Sequence, residues 1–230
     1  MKQPLTALLS FNAGFVDTVG FLGLQGLFTA HVTGNFVTFA AALVLGTHGA
    51  VGKMLALPEF VVVVALARLA GAELTRRQMP TLTLLLAAKT LCLLAFLMLG
   101  VAFGPFPNSD VPTALLAGLA GIAAMALQNA IQRVHFASVP PTTIMTNNTT
   151  QAVLDAVDLL RGVAPPEVRG RFERIFRSIA AFAFGCAAAA LLYYLTAFWS
   201  LLVAVVVAIA VVFLQLRADP GSGPHSQQAG

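Results

Sequence analysis

The sequence predicts an all-α integral membrane protein with about six transmembrane helices and two re-entrant half-helices, arranged as an inverted 3+3 repeat. Three observations predict it. Of the 230 residues, 58% are hydrophobic and only 10% charged, with a mean hydropathy of +0.87, whereas soluble domains carry roughly 25% charged residues. Apolar runs cover nearly the whole chain, some long and some short. The polar patch Thr29-Ala30-His31-Val32-Thr33-Gly34-Asn35 also returns, loosely, as Thr142-Thr143-Ile144-Met145-Thr146-Asn147-Asn148. Each copy follows a run long enough to cross a bilayer and precedes a short one. Broken helices repeated in two halves are the arrangement that builds solute pathways at the midplane.

The first run, 5–27, begins after Met1-Lys2-Gln3-Pro4 and imitates a signal peptide. It outlasts the roughly 7–15 residues of a signal core, contains Asp17 and has no convincing cleavage site, so it reads as a retained helix. The runs 59–75, 81–103, 112–133, 174–195 and 198–216 can each span or nearly span the ~20 residues a bilayer needs. The runs 35–47 and 148–160 cannot. At ~1.5 Å per residue they reach about 20 Å, against a hydrocarbon core of ~30 Å. The second also carries Asp155 and Asp158, which are costly facing lipid. Pro140-Pro141 keeps the approach to it extended. The link between Arg161 and Arg177 is basic and contains Pro165-Pro166, as a cytoplasmic loop with an interfacial helix would. The last residues, 218–230, have nothing to bury and read as a disordered tail beyond a single membrane domain of residues 1–217. Within that domain the repeats cover about 5–103 and 112–216.

Charge placement orients the chain. With six crossings and two re-entrant segments, Lys2, Arg76, Arg77, Arg133, Arg161, Arg169, Arg171, Arg174, Arg177 and Arg217 all fall on the inner side, and Lys53 falls outside. Eight crossings would put Arg76, Arg77 and Arg133 outside, so the positive-inside rule favours six, with both termini cytoplasmic. Loops 48–58 and 104–111 then face outward. The formal charge of +4 invites a nucleic-acid reading, but the basic residues lie scattered at segment ends and not on one face. Cys92 and Cys186 sit inside apolar runs, as buried small hydrophobes do. Tyr193, Tyr194 and Trp199 suit an outer aromatic belt. Gly20, Gly23 and Gly26 suit close helix approach.

The candidate site follows from the repeat. Thr33, Gly34 and Asn35, and Thr146, Asn147 and Asn148, would form the N-terminal ends of the two half-helices. Free N–H groups and the positive dipole end converge there, and Thr and Asn are residues that cap such ends. Two such ends facing each other would attract an anion or a dipole. Asp17 lies roughly 18 Å along its helix, near the membrane centre, where a charge needs a partner, water or a proton. Superposing the halves with a one-residue gap puts Asn129 opposite Asp17, preceded by Gln128. Arg68 and Lys89 reach similar depth, so Asp17 either pairs with one of them or lines the pathway. His31 has the titration range for proton coupling, and His135 reads as interfacial.

Several of these residues carry a resemblance. Gly14-Phe15-Val16-Asp17, Phe28 to Asn35, Met125-Ala126-Leu127-Gln128-Asn129 and Pro141 to Thr146 resemble the YoaK-like family of bacterial inner-membrane proteins over roughly residues 5–216. In that family the first patch usually has Asn and Met where this chain has His31 and Val32. The resemblance implies a multi-pass protein of the bacterial inner membrane with about six spans, and no particular substrate.

Together these features predict a small secondary transporter or channel for a small anionic or polar solute. An accessory or structural membrane protein is the alternative. An intramembrane enzyme is disfavoured, because the chain has no H-E-x-x-H, no G-x-S-x-G and no tight Asp, His and Cys cluster. No cofactor or metal is expected. The expected partners are a small solute and the lipid bilayer, with a homo-oligomer left open and no nucleic acid.

Overall fold

The computed structural model describes residues 2–218. Eight α-helices follow one another among them: α1 (Lys2–Gly23), α2 (Gly34–Leu45), α3 (Ala50–Arg76), α4 (Thr81–Phe103), α5 (Pro112–His135), α6 (Met145–Leu160), α7 (Pro166–Thr196) and α8 (Leu201–Ala218), with a 3-10 turn at Ala197–Ser200 before the last. The expected disordered tail, 218–230, lies outside the described residues apart from Ala218, which ends α8. Five stretches are long and apolar enough to cross a membrane: Pro4–Gly23, Ala50–Arg76, Thr81–Phe103, Pro112–His135 and Pro166–Arg217, the last holding both α7 and α8. The outer faces agree. Val61, Val62, Leu66, Leu91, Met98, Val206 and Phe213 are all exposed. In water so much apolar surface would drive association, so it is a lipid-facing surface. The chain is an all-helical, multi-pass membrane protein.

The helices pack in matched pairs. α1 runs parallel to α7: Ser10 and Ser178 share a 2.6 Å hydrogen bond, Gly14 lies on the Phe182 carbonyl, and Gly23 meets Phe198. α3 runs parallel to α5 in the opposite sense, with Gly52 against Leu115. α4 lies antiparallel to α5, where the Phe96 ring covers Gly121. α8 lies antiparallel to α1, where Asn12 Nδ2 donates to the Ala204 carbonyl at 3.3 Å. α2 packs on α3 as α6 packs on α7. A large cluster around Phe15, Phe96, Met125 and Phe198 fills one half of the bundle, and a smaller one around Leu9, Leu86, Ile131 and Phe136 fills the other.

The two short helices enter from opposite ends. Segment 24–49 leaves and regains the bundle at the Phe198 end, for Gly49 sits beside the Gln25 carbonyl. Segment 136–165 does so at the other end, where Val139 and Pro140 border a small cleft with Arg174 and Arg177. There Arg171 clamps the buried Asp155 carboxylate of α6 with two hydrogen bonds, at 2.6 and 2.9 Å.

Several boundaries depart from the sequence expectation. α1 stops at Gly23, not 27: Gln25 and Gly26 take left-handed φ angles of 53° and 87°, and the Gly26 N–H closes back on the Phe21 carbonyl at 2.8 Å. The run expected at 59–75 begins at Ala50, through Pro58. Its first turn is capped from a distance by Asp110, whose carboxylate accepts from the N–H groups of Gly49 and Val51, each at 2.9 Å. Most of the expected loop 48–58 is therefore helix. The basic link is not a loop either: only 161–165 are non-helical, and Arg169 to Arg177 form the first turns of the 31-residue α7. Pro166 opens that helix at a position where no N–H is missed. Of the glycines expected to permit close helix approach, Gly20 makes room instead for Thr29 of the returning chain, while Gly23 meets Phe198 of the 3-10 turn after α7.

Candidate functional site

The site is built on two extended segments that thread back into the bundle. In the first, the Asp17 carboxylate of α1, 5% exposed, gathers the chain around itself. Its Oδ1 accepts from the N–H groups of Thr29 at 2.8 Å and Ala30 at 2.7 Å, with His31 N–H at 3.4 Å and the Thr29 hydroxyl at 3.3 Å. Its Oδ2 lies 2.6 Å from His31 Nδ1. A buried carboxylate requires such donors, and the extended chain supplies N–H groups that no helix could spare. Asn35 then fastens the same segment. Its side chain accepts from Phe28 N–H at 2.9 Å and donates to Phe28 O at 2.8 Å.

The second segment repeats the scheme with neutral groups. Asn129 Oδ1 accepts from the Thr143 hydroxyl at 2.7 Å, and Gln128 Nε2 donates to the Thr142 hydroxyl at 3.1 Å and to the Leu9 carbonyl at 2.8 Å. Asn148 Nδ2 donates to the Pro141 carbonyl at 2.7 Å. Both asparagines, 1% and 2% exposed, reach seven residues back along the chain. Proline has no N–H to return, so the second latch lacks the reciprocal bond.

The expected capping role is corrected by this geometry. Thr33 precedes α2 and Ile144 precedes α6, and neither helix has a side-chain cap. The asparagine amides are already engaged with the extended chain, and Thr33, Thr146 and Asn147 are exposed. In α2 the first-turn N–H groups of Gly34, Asn35 and Phe36 close on the carbonyls of His31, Val32 and Thr33 at 2.8, 3.1 and 3.2 Å, whereas α6 has no side-chain cap at its start.

Between the two helix starts lies a cavity of about 360 Å³, walled by Ala30, His31, Val32 and Thr33 from one side and Thr143, Ile144, Met145 and Thr146 from the other, with Asn129, Leu57 and Phe60 between them. A second hollow of similar size shares Phe60, Asn129, Thr143 and Ile144 with it and continues to Gln132, Arg133 and Val139. The path thus runs from the paired helix ends towards the end of α5. Gln132 is buried, its Nε2 bonded to Phe136 O at 2.9 Å, while its Oε1 has no partner.

The predicted residues sort clearly. His31, Thr33, Asn129 and Thr146 line the cavity. Asp17, Gly34, Asn35, Gln128 and Asn148 stand behind it and hold its walls; Gly34 receives the Phe28 ring against its backbone. Asn147 is exposed outside the lining, and Arg68 is exposed on α3. Of the two alternatives for Asp17, the pairing with Arg68 or Lys89 is not what forms: its partners are the extended chain and His31. Lys89, 1% exposed, has no hydrogen-bond partner at Nζ. Thr143, Leu57, Phe60, Gln132 and Arg133 were not foreseen as site residues. Of these Thr143 had a signal, its place in the repeated patch, whereas the others depend on which face of α3 and α5 turns inward.

Among the described residues no three His, Cys, Asp or Glu side chains are grouped to hold a metal ion. No solved structure matches this chain. It is 28% identical over 144 residues to the UPF0700 transmembrane protein YoaK of Bacillus subtilis (strain 168), a match spanning 62% of each chain. Residues 5–214 match the family described as protein of unknown function (DUF1275). With that match covering nearly every helix, and with the clasped segments both inside it, the chain belongs to the DUF1275 family.

Proposed function

We propose that this protein is a small secondary transporter or channel of the bacterial inner membrane, carrying a small anionic or polar solute through the cavity between the starts of α2 and α6. The observation that carries the reading is the convergence of two helix N-termini without side-chain caps on one hollow large enough for a small solute, each delivered by an extended segment latched by an asparagine. The positive ends of both dipoles meet there, with hydroxyl, amide and imidazole groups in reach.

An inverted repeat supports it. Exchanging α1 with α5, α2 with α6, α3 with α7 and α4 with α8 maps the packing pairs α1–α7 onto α5–α3, α2–α3 onto α6–α7, and α1–α8 onto α5–α4. The two short helices are then re-entrant elements from opposite sides, and the hollow lies near the midplane, where transporter sites of this architecture sit. With the arginine-rich start of α7 on the cytoplasmic side, both termini are cytoplasmic and the path past Gln132 and Arg133 opens inward.

The test is a thermal-shift screen of the purified protein against small anions and polar metabolites, followed by flux in proteoliposomes for any that stabilise it. Thr143→Val and Thr33→Val, which remove cavity hydroxyls, should weaken binding. Asn35→Leu and Asn148→Leu should abolish it by releasing the segments. Binding unchanged in all four variants would place the site elsewhere.

A further inference from the structure

His31 is the one titratable side chain in the cavity lining, and its surroundings leave it a single charged neighbour. From α1 it faces the Asp17 carboxylate, 2.6 Å from Nδ1. From α7 it meets the Phe182 ring edge-on at 5.6 Å; one turn further along, Cys186 is turned to the Gly14 carbonyl at 3.5 Å. On its own segment Phe28 packs at 6.1 Å. Across the hollow stand Asn129, Thr143 and Thr146, and from α3 Leu57 and Phe60; the α3 carboxylate between those two, Glu59, interacts with Cys92 of α4.

The hydrogen-bond arithmetic is restrictive. Asp17 Oδ1 is taken up by two short backbone N–H bonds, so Oδ2 is the acceptor that fixes the ring by receiving the Nδ1 proton. Neutral His31 would then present Nε2 as a lone pair. The pair would carry one negative charge at the mouth of a cavity built to attract anions, and the two features would oppose each other. Adding one proton to Nε2 resolves the conflict: the pair becomes neutral overall, and His31 gains a donor.

We infer that the cavity takes its anion together with one proton, held on His31 Nε2, and that Asp17 is the positioning residue that orients the ring for it. This rests on the proposed anion site. No bond other than this N–H forms, and the proton leaves with the anion on release, so each cycle moves both in the same direction.

The experiment measures the affinity of the purified full-length protein for chloride, nitrate and sulfate by thermal shift. Ionic strength is held constant with gluconate, across about pH 5 to 8, where imidazole titrates. These probes keep their own charge over that range. One bound proton per anion requires wild-type affinity to weaken about tenfold per pH unit above the titration of His31. His31→Gln should bind with an affinity independent of pH, and Asp17→Asn should flatten the dependence while still folding. A flat wild-type profile with clear anion binding would overturn the proton and leave the anion site standing. An equal slope in wild type and His31→Gln would assign the proton to another group and also overturn it. If none of the three anions stabilises the wild type at any pH, the anion site itself is wrong and the coupled proton falls with it.

Discussion

Asp17 separates two accounts of a charge inside the bundle, and its removal has a size that the geometry predicts. Truncation to alanine strands the N–H groups of Thr29 and Ala30, both buried and both bonded to Oδ1 at under 3 Å. A buried donor left without a partner costs about 1–3 kcal/mol, so Asp17→Ala should lose about 4 kcal/mol in all. The half-exposed His31 ring can be rehydrated and adds little. Asp17→Asn keeps an acceptor in the same place. Each of the two short bonds falls from the charged to the neutral class, about 1 kcal/mol apiece, for a loss of about 2 kcal/mol. The melting temperature in detergent should therefore drop about twice as far for alanine as for asparagine. Hydrogen exchange should localise the alanine defect to residues 29–31. Adding Arg68→Gln or Lys89→Gln to either variant should restore nothing, since neither cation partners the carboxylate. Rescue by either double variant, or an alanine variant that melts with wild type, would refute the clasp and revive a helix-to-helix ion pair.

Two further outcomes test the frame that holds the site. Thr47→Cys and Arg77→Cys, exposed at opposite ends of α3, should react with impermeant maleimide from opposite sides of the membrane; labelling from one side only would end the inverted arrangement. Gly14→Ala and Gly185→Ala should each destabilise by about 3 kcal/mol, the upper end of overpacking costs, outweighing the ~1 kcal/mol that alanine gains over glycine in a helix. The added methyls would strike backbone carbonyls, of Phe182 and of Phe11, which cannot turn aside as a side chain can, so wild-type melting in both variants would show that α1 and α7 do not cross there.

Much of this is legible in the sequence, for reasons that are physical. Helices α4 and α5 lie within two residues of their apolar runs because hydropathy alone marks a lipid-facing helix. The two short helices were legible because a polar patch interrupts each approach. The start of α3 was not, because Gly49, Gly52 and Pro58 read locally as a turn, and the Asp110 carboxylate that caps the helix start at Gly49 and Val51 comes from a loop about 60 residues away. The start of α7 was hidden similarly: its arginines look like a loop when counted, though they lie on a helix longer than the ~30 Å core. At the site, the one-residue gap that set Asn129 against Asp17 anticipated equivalent tasks, for each side chain holds the extended chain of its own half. Capping was misjudged because Thr and Asn at a helix start are read from local preference, whereas Asn35 and Asn148 satisfy a longer-range need.

The two latched segments share a framework but not a charge, and under the proposed function that difference says where discrimination would reside. Counting back from the latching asparagines, His31 of the first segment corresponds to Ile144 of the second, and, with the one-residue gap, the carboxylate of Asp17 to the amide of Asn129. The framework needs only hydrogen bonds, and the second half shows that neutral groups suffice to hold an extended segment. Asp17 and His31 therefore exceed what the architecture requires of their positions. The Asp17 carboxylate makes stronger bonds to the Thr29 and Ala30 N–H groups than an amide would, and it also does something an amide cannot. It adds a charge for an imidazole at the cavity wall to answer. Under the proposed function, the part the two segments share accounts for the hollow, and the part they do not share for what it would select.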